Sequence, residues 1–252
     1  MTIEVNFDSR LKEVVKAANS LVFFTGSGIS AESGIPTFRG EDGIWKKFKP
    51  EELANFNAFI CNPDLVWQWY QYRRMIIEKC KPNNGHKAIA EAEKYFKRVA
   101  VITQNVDNLH MQAGSKIIYE LHGNITRNYC IDCNENFEIS NNISASETVP
   151  KCEKCNGLIR PDVVWFGESL PQDVWSKAEI AAETADICFV IGSSGLVYPA
   201  AQIPINAKSF GALLIEINTE ETPLTSKADY FYKGKAGEIL PALITEIKKI
   251  KV

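Results

Sequence analysis

Residues 101–124 read VITQNVDNLHMQAGSKIIYELHGN and contain two apolar runs that each end in polar side chains. The first run breaks into QNVD at 104–107, and the second, at 117–121, is followed directly by His122. Buried strands of a parallel sheet end in this way where their carboxyl ends open into a ligand crevice. The stretch therefore predicts a parallel α/β sheet with an amide, a carboxylate and an imidazole at one edge.

His122 is the candidate general base of this stretch. A neutral imidazole has a pKa near 6.5, so it can accept a proton at neutral pH. These residues alone leave a structural alternative open, in which His122 caps a strand while Asn105 and Asp107 close a turn.

The composition bounds the class of protein. The chain has 252 residues, 45% apolar and 23% charged, which is ordinary for one large globular domain or one domain with insertions. Its net charge of −3 does not favour nucleic acid as a direct partner. No apolar run approaches the roughly 20 residues that span a bilayer, and residues 1–13 lack the apolar core of a signal peptide. We therefore expect a cytoplasmic protein that binds no membrane.

A glycine-rich loop follows the first predicted strand. Residues 21–24 are apolar and lead into Gly26, Gly28 and Ala31, which match the G-x-G-x-x-G/A pattern of dinucleotide-binding loops. Glycines let a backbone approach a pyrophosphate, although glycines after a strand also make simple tight turns. The acidic residue expected about 20 positions later is missing, so the pattern does not predict a plain dehydrogenase.

Further strands alternate with helical segments. Residues 187–191 and 212–217 are apolar runs that end in GSSG and NTE, and helices are predicted to open at Pro82 and to cover 171–183 and 235–250. Residues 158–168 are extended and apolar, but Pro161 argues against a central strand there. This alternation predicts an α/β fold with a Rossmann-like parallel sheet whose ligand lies across the strand ends. The predicted division is a sheet domain of residues 1–36, 85–125 and 158–252, a helical insertion over 37–84, and a small four-cysteine zinc-ribbon module over 126–157.

The insertion over 37–84 carries a candidate acid-binding pair. An Asn-Pro pair at 62–63 predicts a helix start, because asparagine caps helices and proline suits the first turn. Tyr70 and Arg73 then lie three residues apart on one helix face, where a hydroxyl and a guanidinium can hold a carboxylate. Spacing alone favours a half-buried tyrosine beside a solvated arginine. It also does not separate Arg73 from Arg74, because both positions face Tyr70.

Two cysteine pairs form the clearest motif of the chain. Cys130-x-x-Cys133 and Cys152-x-x-Cys155 are separated by 18 residues, which is the spacing of a zinc ribbon. Four thiolates complete the tetrahedral coordination of Zn²⁺ and leave no position for substrate, so the ion is expected to be structural. Disulfides or free thiols are the alternatives. A ribbon can also bind nucleic acid or a partner, but the acidic residues of this module do not favour nucleic acid.

In their order along the chain, these motifs resemble those of the sirtuins, a family of NAD-dependent protein-lysine deacylases. The resemblance covers residues 21–240, with Ser27 where the family usually has alanine and Ser193 where threonine is common. Besides the cysteine pairs, the matching motifs are GSGISAESGIPTFR (26–39), TQNVD (103–107), HG (122–123), VWFGE (164–168), GSS (192–194) and EIN (216–218).

The resemblance implies that NAD is consumed as a co-substrate, which accounts for the missing dehydrogenase pattern. The acyl oxygen of a modified lysine would attack the ribose as nicotinamide leaves, and His122 would then take a proton from a ribose hydroxyl. Water would release lysine and an O-acyl-ADP-ribose. Asn105 would orient the ribose and a water, Asp107 would hold the nicotinamide amide, and Phe38 would shield the site.

The resemblance also assigns residues to binding NAD and the acylated peptide. Segments 164–168 and 195–198 would clamp the peptide as an added strand. The residues expected to bind NAD are Gly26, Ser27, Gly28, Ile29, Ser30, Ala31, Glu32, Pro36, Thr37, Phe38, Arg39, Trp45, Gln104, Asn105, Val106, Asp107, Gly192, Ser193, Ser194, Asn218, Thr219, Glu220 and Ala236. Those expected to bind the acyl-lysine substrate are Ala54, Tyr70, Arg73, Val164, Phe166, Gly167, Glu168 and Val197.

One subgroup of the family, the desuccinylase-like class, carries a tyrosine and an arginine three residues apart together with an earlier small residue. Tyr70, Arg73 and Ala54 match that pattern, so we expect deacetylation together with desuccinylation and demalonylation. A protein mono-ADP-ribosyltransferase and a non-enzymatic NAD sensor are the other hypotheses. The partners expected are acyl-lysine proteins or peptides, and the chain is expected to be a monomer.

Overall fold

The structure is a computed structural model that describes residues 5–38, 49–138 and 148–252. Six strands of this part of the chain form one parallel sheet, and two others form an antiparallel ribbon. In chain order the strands are β1 (Ser20–Thr25), β2 (Arg98–Thr103), β3 (Ile118–Glu120), β4 (Gly123–Cys130), β5 (Ile159–Val163), β6 (Ile187–Ile191), β7 (Leu213–Asn218) and β8 (Tyr230–Lys233). The parallel sheet has the order β3-β2-β1-β6-β7-β8, which confirms the predicted Rossmann-like fold.

Helices cover both faces of the parallel sheet, so its central strands are apolar on both sides. In β1, Leu21 and Phe23 face one core cluster, while Val22 and Phe24 face another. In chain order the helices are α1 (Ser9–Ala17), α2 (Gly28–Ala31), α3 (Pro50–Leu53), α4 (Phe56–Cys61), α5 (Pro63–Glu78), α6 (Asn84–Ala92), α7 (Leu109–Ala113), α8 (Gln172–Glu183), α9 (Gln202–Ser209) and α10 (Ala236–Lys251). No helix in the described ranges is long and apolar enough to cross a membrane.

The helix starts follow the capping residues. The side chain of Asn62 accepts a hydrogen bond from the N–H of Leu65 at the start of α5, as the sequence predicted. A helix predicted to open at Pro82 instead begins at Asn84, because the side chain of Asn83 accepts hydrogen bonds from the first N–H groups of α6.

The antiparallel ribbon of β4 and β5 lies apart from the main sheet. Pro161 pairs with Asn128 beside a shift in register, and β5 pairs with β4 alone among the described strands. This agrees with the prediction that Pro161 excludes a central strand, because proline cannot donate to a ladder. The ribbon packs against α5 through Val163 and Tyr70 in a third core cluster. The three-part domain division stays a prediction.

The register of the sheet brings the ends of four strands to one edge. Thr25 pairs with Thr103 on one side and with Ile191 on the other, and Ile191 pairs with Ile217. The hydroxyl of Thr25 donates to that of Thr103 over 2.8 Å. The chain crosses the sheet between β3 and β6, so β1 and β6 flank the switch point at which such sheets bind ligands.

Candidate active site

A cavity of about 830 Å³ opens at the carboxyl edge of the sheet. The loops after β1, β2, β6 and β7 form one wall, and α5 with the segment after β5 forms the other. Most of the predicted site residues face this cavity, namely Gly26, Ser27, Gly28, Thr37, Phe38, Ala54, Tyr70, Arg73, Gln104, Asn105, Val106, His122, Val164, Phe166, Gly167, Glu168, Gly192, Ser193, Ser194, Val197, Asn218, Thr219 and Glu220.

Other residues predicted to bind NAD do not line the cavity. The carboxylate of Glu32 accepts a hydrogen bond from the N–H of Gly237 over 2.7 Å, which joins α2 to the start of α10. Arg39 and Trp45 lie outside the described residues. The predicted residues found beyond the cavity wall are Ile29, Ser30, Ala31, Glu32, Pro36, Asp107 and Ala236, and their NAD-binding role stays a prediction.

The glycines of the β1 loop are needed because a second backbone lies against them. A Cβ atom on Gly26 would lie 2.7 Å from the carbonyl oxygen of Gly192, and one on Gly28 would lie 2.7 Å from the Cα of Gly192. Both N–H groups are also used, since Gly26 donates to Ile191 and Gly28 donates to Gly192. The sequence pattern located the loop correctly, but contact between the β1 and β6 loops accounts for its glycines.

A buried hydrogen-bond network fixes Asn105 at the end of β2. The amide nitrogen of Asn105 lies 3.1 Å from the carbonyl oxygen of Gly26 and 3.2 Å from the hydroxyl oxygen of Ser30. Ser30 donates to Asp107 over 2.7 Å, and the N–H of Leu109 donates to the other carboxylate oxygen. Burial raises the pKa of Asp107, although these two hydrogen bonds oppose the shift. Asp107 therefore helps to hold Asn105 in place through the hydroxyl of Ser30.

His122 is held in one tautomer by a backbone carbonyl. Its Nδ1 lies 3.1 Å from the carbonyl oxygen of Gln104. Because a carbonyl only accepts, Nδ1 carries the proton and Nε2 keeps its lone pair. Burial lowers the pKa of His122 below 6.5, with the hydrogen bond to Gln104 acting in the opposite direction. The ring is therefore neutral at neutral pH, and its Nε2 is unprotonated.

Arg73 brings a positive charge to the α5 side of the cavity. Its guanidinium carbon lies 4.8 Å from the ring centre of Phe38, 5.0 Å from that of Trp69 and 5.8 Å from that of Tyr70. The residue is 8% exposed, and burial lowers its pKa. Arg73 forms no ion pair within residues 5–38, 49–138 and 148–252. Aromatic faces stabilise the cation, but its planar donors stay available to a ligand.

Arg74 points away from the cavity and holds α5 against β4. Its Nε donates to the carbonyl oxygen of Ile125 over 2.6 Å, and its Nη1 donates to Gln71 over 2.7 Å. Its Nη2 donates to the side chain of Asn128. The structure therefore separates the two arginines that the sequence left equivalent: Arg74 is used within the fold, while Arg73 faces the cavity.

The segment after β5 forms the outer rim of the cavity. The N–H of Val164 donates to the carbonyl of His122, and that of Phe166 donates to the carbonyl of Ala54. The carboxylate of Glu168 accepts two hydrogen bonds from Arg160 and one from the N–H of Trp165. The Glu168 side chain thus shapes the rim. Three large apolar side chains on the rim are about half exposed, namely Phe166, Leu196 and Tyr198.

Two tryptophans that line the cavity were not among the individually predicted site residues. Trp69 contacts Arg73, and Trp165 donates its indole N–H to the hydroxyl of Tyr70 over 2.8 Å. Both lie in segments that had been singled out, Trp69 beside Tyr70 and Trp165 between two predicted substrate-binding residues. Buried tryptophans are most often core residues, so only the fold distinguishes these two.

The four cysteines of the predicted zinc module form one cluster. Their sulfur atoms all lie within 4.8 Å of one another, with 3.4 Å between those of Cys130 and Cys155 and 3.7 Å between those of Cys133 and Cys152. A disulfide would need about 2.0 Å, whereas a tetrahedral Zn²⁺ with sulfur ligands at about 2.3 Å places the sulfurs about 3.8 Å apart. The geometry therefore fits a structural zinc ion.

Comparisons with known proteins agree with this site. The Sir2 family model matches residues 26–199. An NAD-dependent protein deacylase of Aquifex aeolicus is 55% identical over 218 residues, which cover 86% of this chain and 90% of the relative. The NAD-dependent protein deacylase 2 of Pyrobaculum aerophilum is 49% identical over 237 residues and covers 94% of both chains.

Solved structures give the same result. A Sir2 homologue in complex with NAD superimposes with a TM-score of 0.90 at 45% identity and covers 100% of this chain and 98% of its own. A complex of Sir2 with a p53 peptide and NAD⁺ has a TM-score of 0.83 at 34% identity and covers 94% of this chain and 97% of its own. The fold and the cleft therefore place this α/β protein in the class of NAD-binding proteins.

The chain belongs to the Sir2 family. The relatives confirm the predicted enzyme class, NAD-dependent protein-lysine deacylases, and the complexes of homologues confirm NAD as the expected co-substrate. They do not favour the alternative of a mono-ADP-ribosyltransferase.

Proposed function

We propose that this deacylase uses His122 as its general base and Asn105 to orient the ribose and a water. NAD supplies the ADP-ribose that accepts the acyl group, with nicotinamide as the leaving group. The unprotonated Nε2 of His122 removes a proton from a ribose hydroxyl, which becomes the acyl acceptor. The strand-end loops after β1, β6 and β7 bind the rest of the dinucleotide. The neutral imidazole facing the cavity, with Nδ1 committed to Gln104, supports this role.

The peptide would cross the rim of the cavity as an added strand. Segments 164–168 and 195–198 flank the opening, and their backbone groups not already bonded within the fold would pair with the peptide. The exposed rings of Phe166 and Tyr198 would cover its apolar side chains. The acyl-lysine would then reach inward between His122 and α5.

The same cavity would accept acyl groups that end in a carboxylate, such as succinyl and malonyl. The observation that carries this proposal is the buried guanidinium of Arg73, which faces the cavity beside Tyr70 without an ion pair in the described ranges. A buried cation is costly unless it is paired, so a ligand carboxylate would gain strongly from this position. Ala54 leaves room for the longer acyl chain.

The acyl range is tested with peptides of one sequence that carry acetyl, malonyl or succinyl on the same lysine. After reaction with NAD, mass spectrometry is expected to find free lysine, nicotinamide and the corresponding O-acyl-ADP-ribose for all three. A gain of ADP-ribose on the peptide or the enzyme would instead indicate the mono-ADP-ribosyltransferase alternative. Absence of turnover on malonyl and succinyl peptides would refute the acidic-acyl proposal.

The role of Arg73 is tested with Arg73→Met, which keeps an unbranched apolar side chain on the helix and removes the charged guanidinium. Because a hydrogen bond to a charged group contributes roughly 1.5–3 kcal/mol, we expect KM for the succinyl peptide to rise about tenfold to a hundredfold relative to KM for the acetyl peptide. Tyr72→Phe is the matched control, since Tyr72 lies on the same helix and is 57% exposed. Equal changes for both peptides would rule out a carboxylate contact.

A further inference from the structure

The hydroxyl of Tyr70 has a buried partner that restricts its direction. The indole Nε1 of Trp165 donates to the Tyr70 oxygen over 2.8 Å. Tyr70 is 1% exposed and Trp165 is 2% exposed, so water does not compete for this hydrogen bond. The two residues come from different elements, because Tyr70 lies on α5 and Trp165 follows β5.

This hydrogen bond turns the phenolic proton away from the indole. A tyrosine hydroxyl has one proton and two lone pairs, and Trp165 occupies one lone pair. Within residues 5–38, 49–138 and 148–252, the Tyr70 hydroxyl accepts this hydrogen bond and donates none. Burial raises the pKa of Tyr70 above 10, so the proton stays in place at neutral pH. Tyr70 is thus left as a hydrogen-bond donor to whatever occupies the cavity.

Trp165 is itself held on three sides. The guanidinium carbon of Arg160 lies 3.5 Å from the centre of its ring, and the ring of Phe59 lies 5.2 Å away. Arg160 is 3% exposed and forms an ion pair with Glu168 over 2.5 Å. The same Glu168 carboxylate accepts the backbone N–H of Trp165 over 2.8 Å. The indole plane, and with it the direction of the N–H, is therefore fixed by the rim of the cavity.

We propose that Trp165 is a positioning residue that sets the preference of the acyl pocket for acyl groups ending in a carboxylate. It acts through Tyr70, whose hydroxyl it commits to donating. A carboxylate only accepts hydrogen bonds, so this commitment favours it over a methyl terminus or a donor group. The inference rests on the proposed acidic-acyl function. It adds a third residue, which would not touch the carboxylate itself, to the Tyr70 and Arg73 pair.

The first test is Trp165→Phe, which keeps an aromatic ring beneath Arg160 and removes only the N–H and part of the ring. Turnover of succinyl-lysine is compared with that of butyryl-lysine, which has a similar chain length and no carboxylate. We expect the succinyl-to-butyryl ratio of kcat/KM to fall about twofold to tenfold, through KM for the succinyl peptide, since a neutral hydrogen bond is worth about that factor. An unchanged ratio would refute the proposal.

Trp67→Phe is the matched control. Trp67 is fully buried on the same helix as Tyr70, and its indole N–H has no partner among the described residues. It does not line the cavity. The substitution removes the same atoms from a tryptophan that does not contact Tyr70, so the succinyl-to-butyryl ratio is expected to stay that of the natural enzyme. An equal fall of this ratio in Trp67→Phe would overturn the proposal, because the effect would then come from weaker packing around the cavity and not from the indole N–H of Trp165.

A double-mutant cycle tests whether Trp165 acts through Tyr70. Trp165→Phe is introduced into Tyr70→Phe, which has no hydroxyl to orient, and is expected to cause no further change in the succinyl-to-butyryl ratio. The same fall in both backgrounds would show that Trp165 acts by another route. If Trp165→Phe does not fold, benzothienylalanine at position 165 replaces the N–H with sulfur, keeps the bicyclic shape and takes its place in the cycle.

Failure of this inference can be told apart from failure of the proposed function. If Arg73→Met lowers succinyl turnover selectively but Trp165→Phe does not change the ratio, the acidic-acyl pocket stands and only the role of Trp165 is wrong. If the natural enzyme does not turn over succinyl-lysine, both proposals are wrong.

Discussion

The protonation of His122 connects one residue to the pH dependence of the reaction. Catalysis needs the neutral ring, and burial lowers its pKa below 6.5. We therefore expect kcat on an acetyl peptide to be constant through neutral pH and to fall only as the pH drops below 6.5. An acetyl peptide is used because it adds no titrating carboxylate to the cavity.

The KM for NAD, measured over the same pH range, serves as a control for the pH profile of kcat. If His122 acts as the base, KM for NAD should change less than kcat across the acid limb, because a charged imidazole blocks proton removal more than it blocks binding. A midpoint of the acid limb above 6.5 would contradict the assignment, since it would require a raised pKa.

At the residue scale, the sequence identified which chemistry to expect but not every partner. His122 and Asn105 line the cavity as expected, because polar residues follow apolar runs at the ends of strands, and helical spacing narrowed the arginine to positions 73 and 74. The choice between Arg73 and Arg74 could not, because it depends on acceptors that β4 brings to α5 from distant sequence. The contact between Trp165 and Tyr70 was hidden for the same reason, since 95 positions separate them.

At the scale of elements, Arg74 ties the helical insertion to the ribbon that leads into the zinc cluster. The residue is 6% exposed, and burial lowers the pKa of its guanidinium to about 10, so it remains charged at neutral pH. Arg74→Met would leave the carbonyl of Ile125 and the side chains of Gln71 and Asn128 without their donor. We expect the free energy of unfolding to fall by about 2–4 kcal/mol, measured by urea denaturation.

Arg73→Met is the natural comparison for Arg74→Met, because the two positions are adjacent on one helix. The Arg74 variant is expected to lose stability while keeping the ratio of succinyl to acetyl turnover, and the Arg73 variant is expected to change that ratio. A selective loss of succinyl turnover in Arg74→Met, with stability unchanged, would mean that the two roles have been exchanged.

Regular elements were predictable where burial imposes a pattern. The strand Ile187–Ile191 has the predicted bounds, because every residue in it is buried and apolar. The edge strand Tyr230–Lys233 was not predicted, since its aromatic run covers only residues 230–232 and is partly exposed. The start of α6 was misplaced because Pro82 and Asn83 both suit a helix start, and the hydrogen bonds of Asn83 decide between them.

At the scale of the whole molecule, its three histidines make stability depend on pH. Burial lowers the pKa of all three: His86 to about 4, His110 well below 6.5, and His122 below 6.5. Each therefore takes up a proton more readily in the unfolded chain. Their stabilising contribution is complete above pH 6.5 and is lost as the pH falls from 6.5 towards the folded pKa.

The aspartates with shifted pKa values do not cause a loss of stability in the same pH range. Asp186 and Asp229 have pKa values lowered below 3.8, mainly by hydrogen bonds that outweigh burial, so they titrate at lower pH. Asp107 has a raised pKa and acts in the opposite direction, because its folded form takes up a proton first. Apart from protonation of the cysteine cluster, a fall in stability between pH 6.5 and about 4.5 is therefore expected to come from the histidines.

His86→Gln tests this prediction, because glutamine can keep a hydrogen bond to Ser30, which lies 3.4 Å from the Nε2 of His86, but does not titrate. From its pKa of about 4, His86 alone should cost the natural protein roughly 2 kcal/mol of unfolding free energy between about pH 7.5 and about pH 5. The variant should lose correspondingly less over that range, and His110→Gln is expected to behave alike. Zinc is kept at one concentration throughout, so that protonation of the cysteine cluster contributes equally to each protein. If both variants lose as much stability as the natural protein, the buried histidines do not control its acid sensitivity.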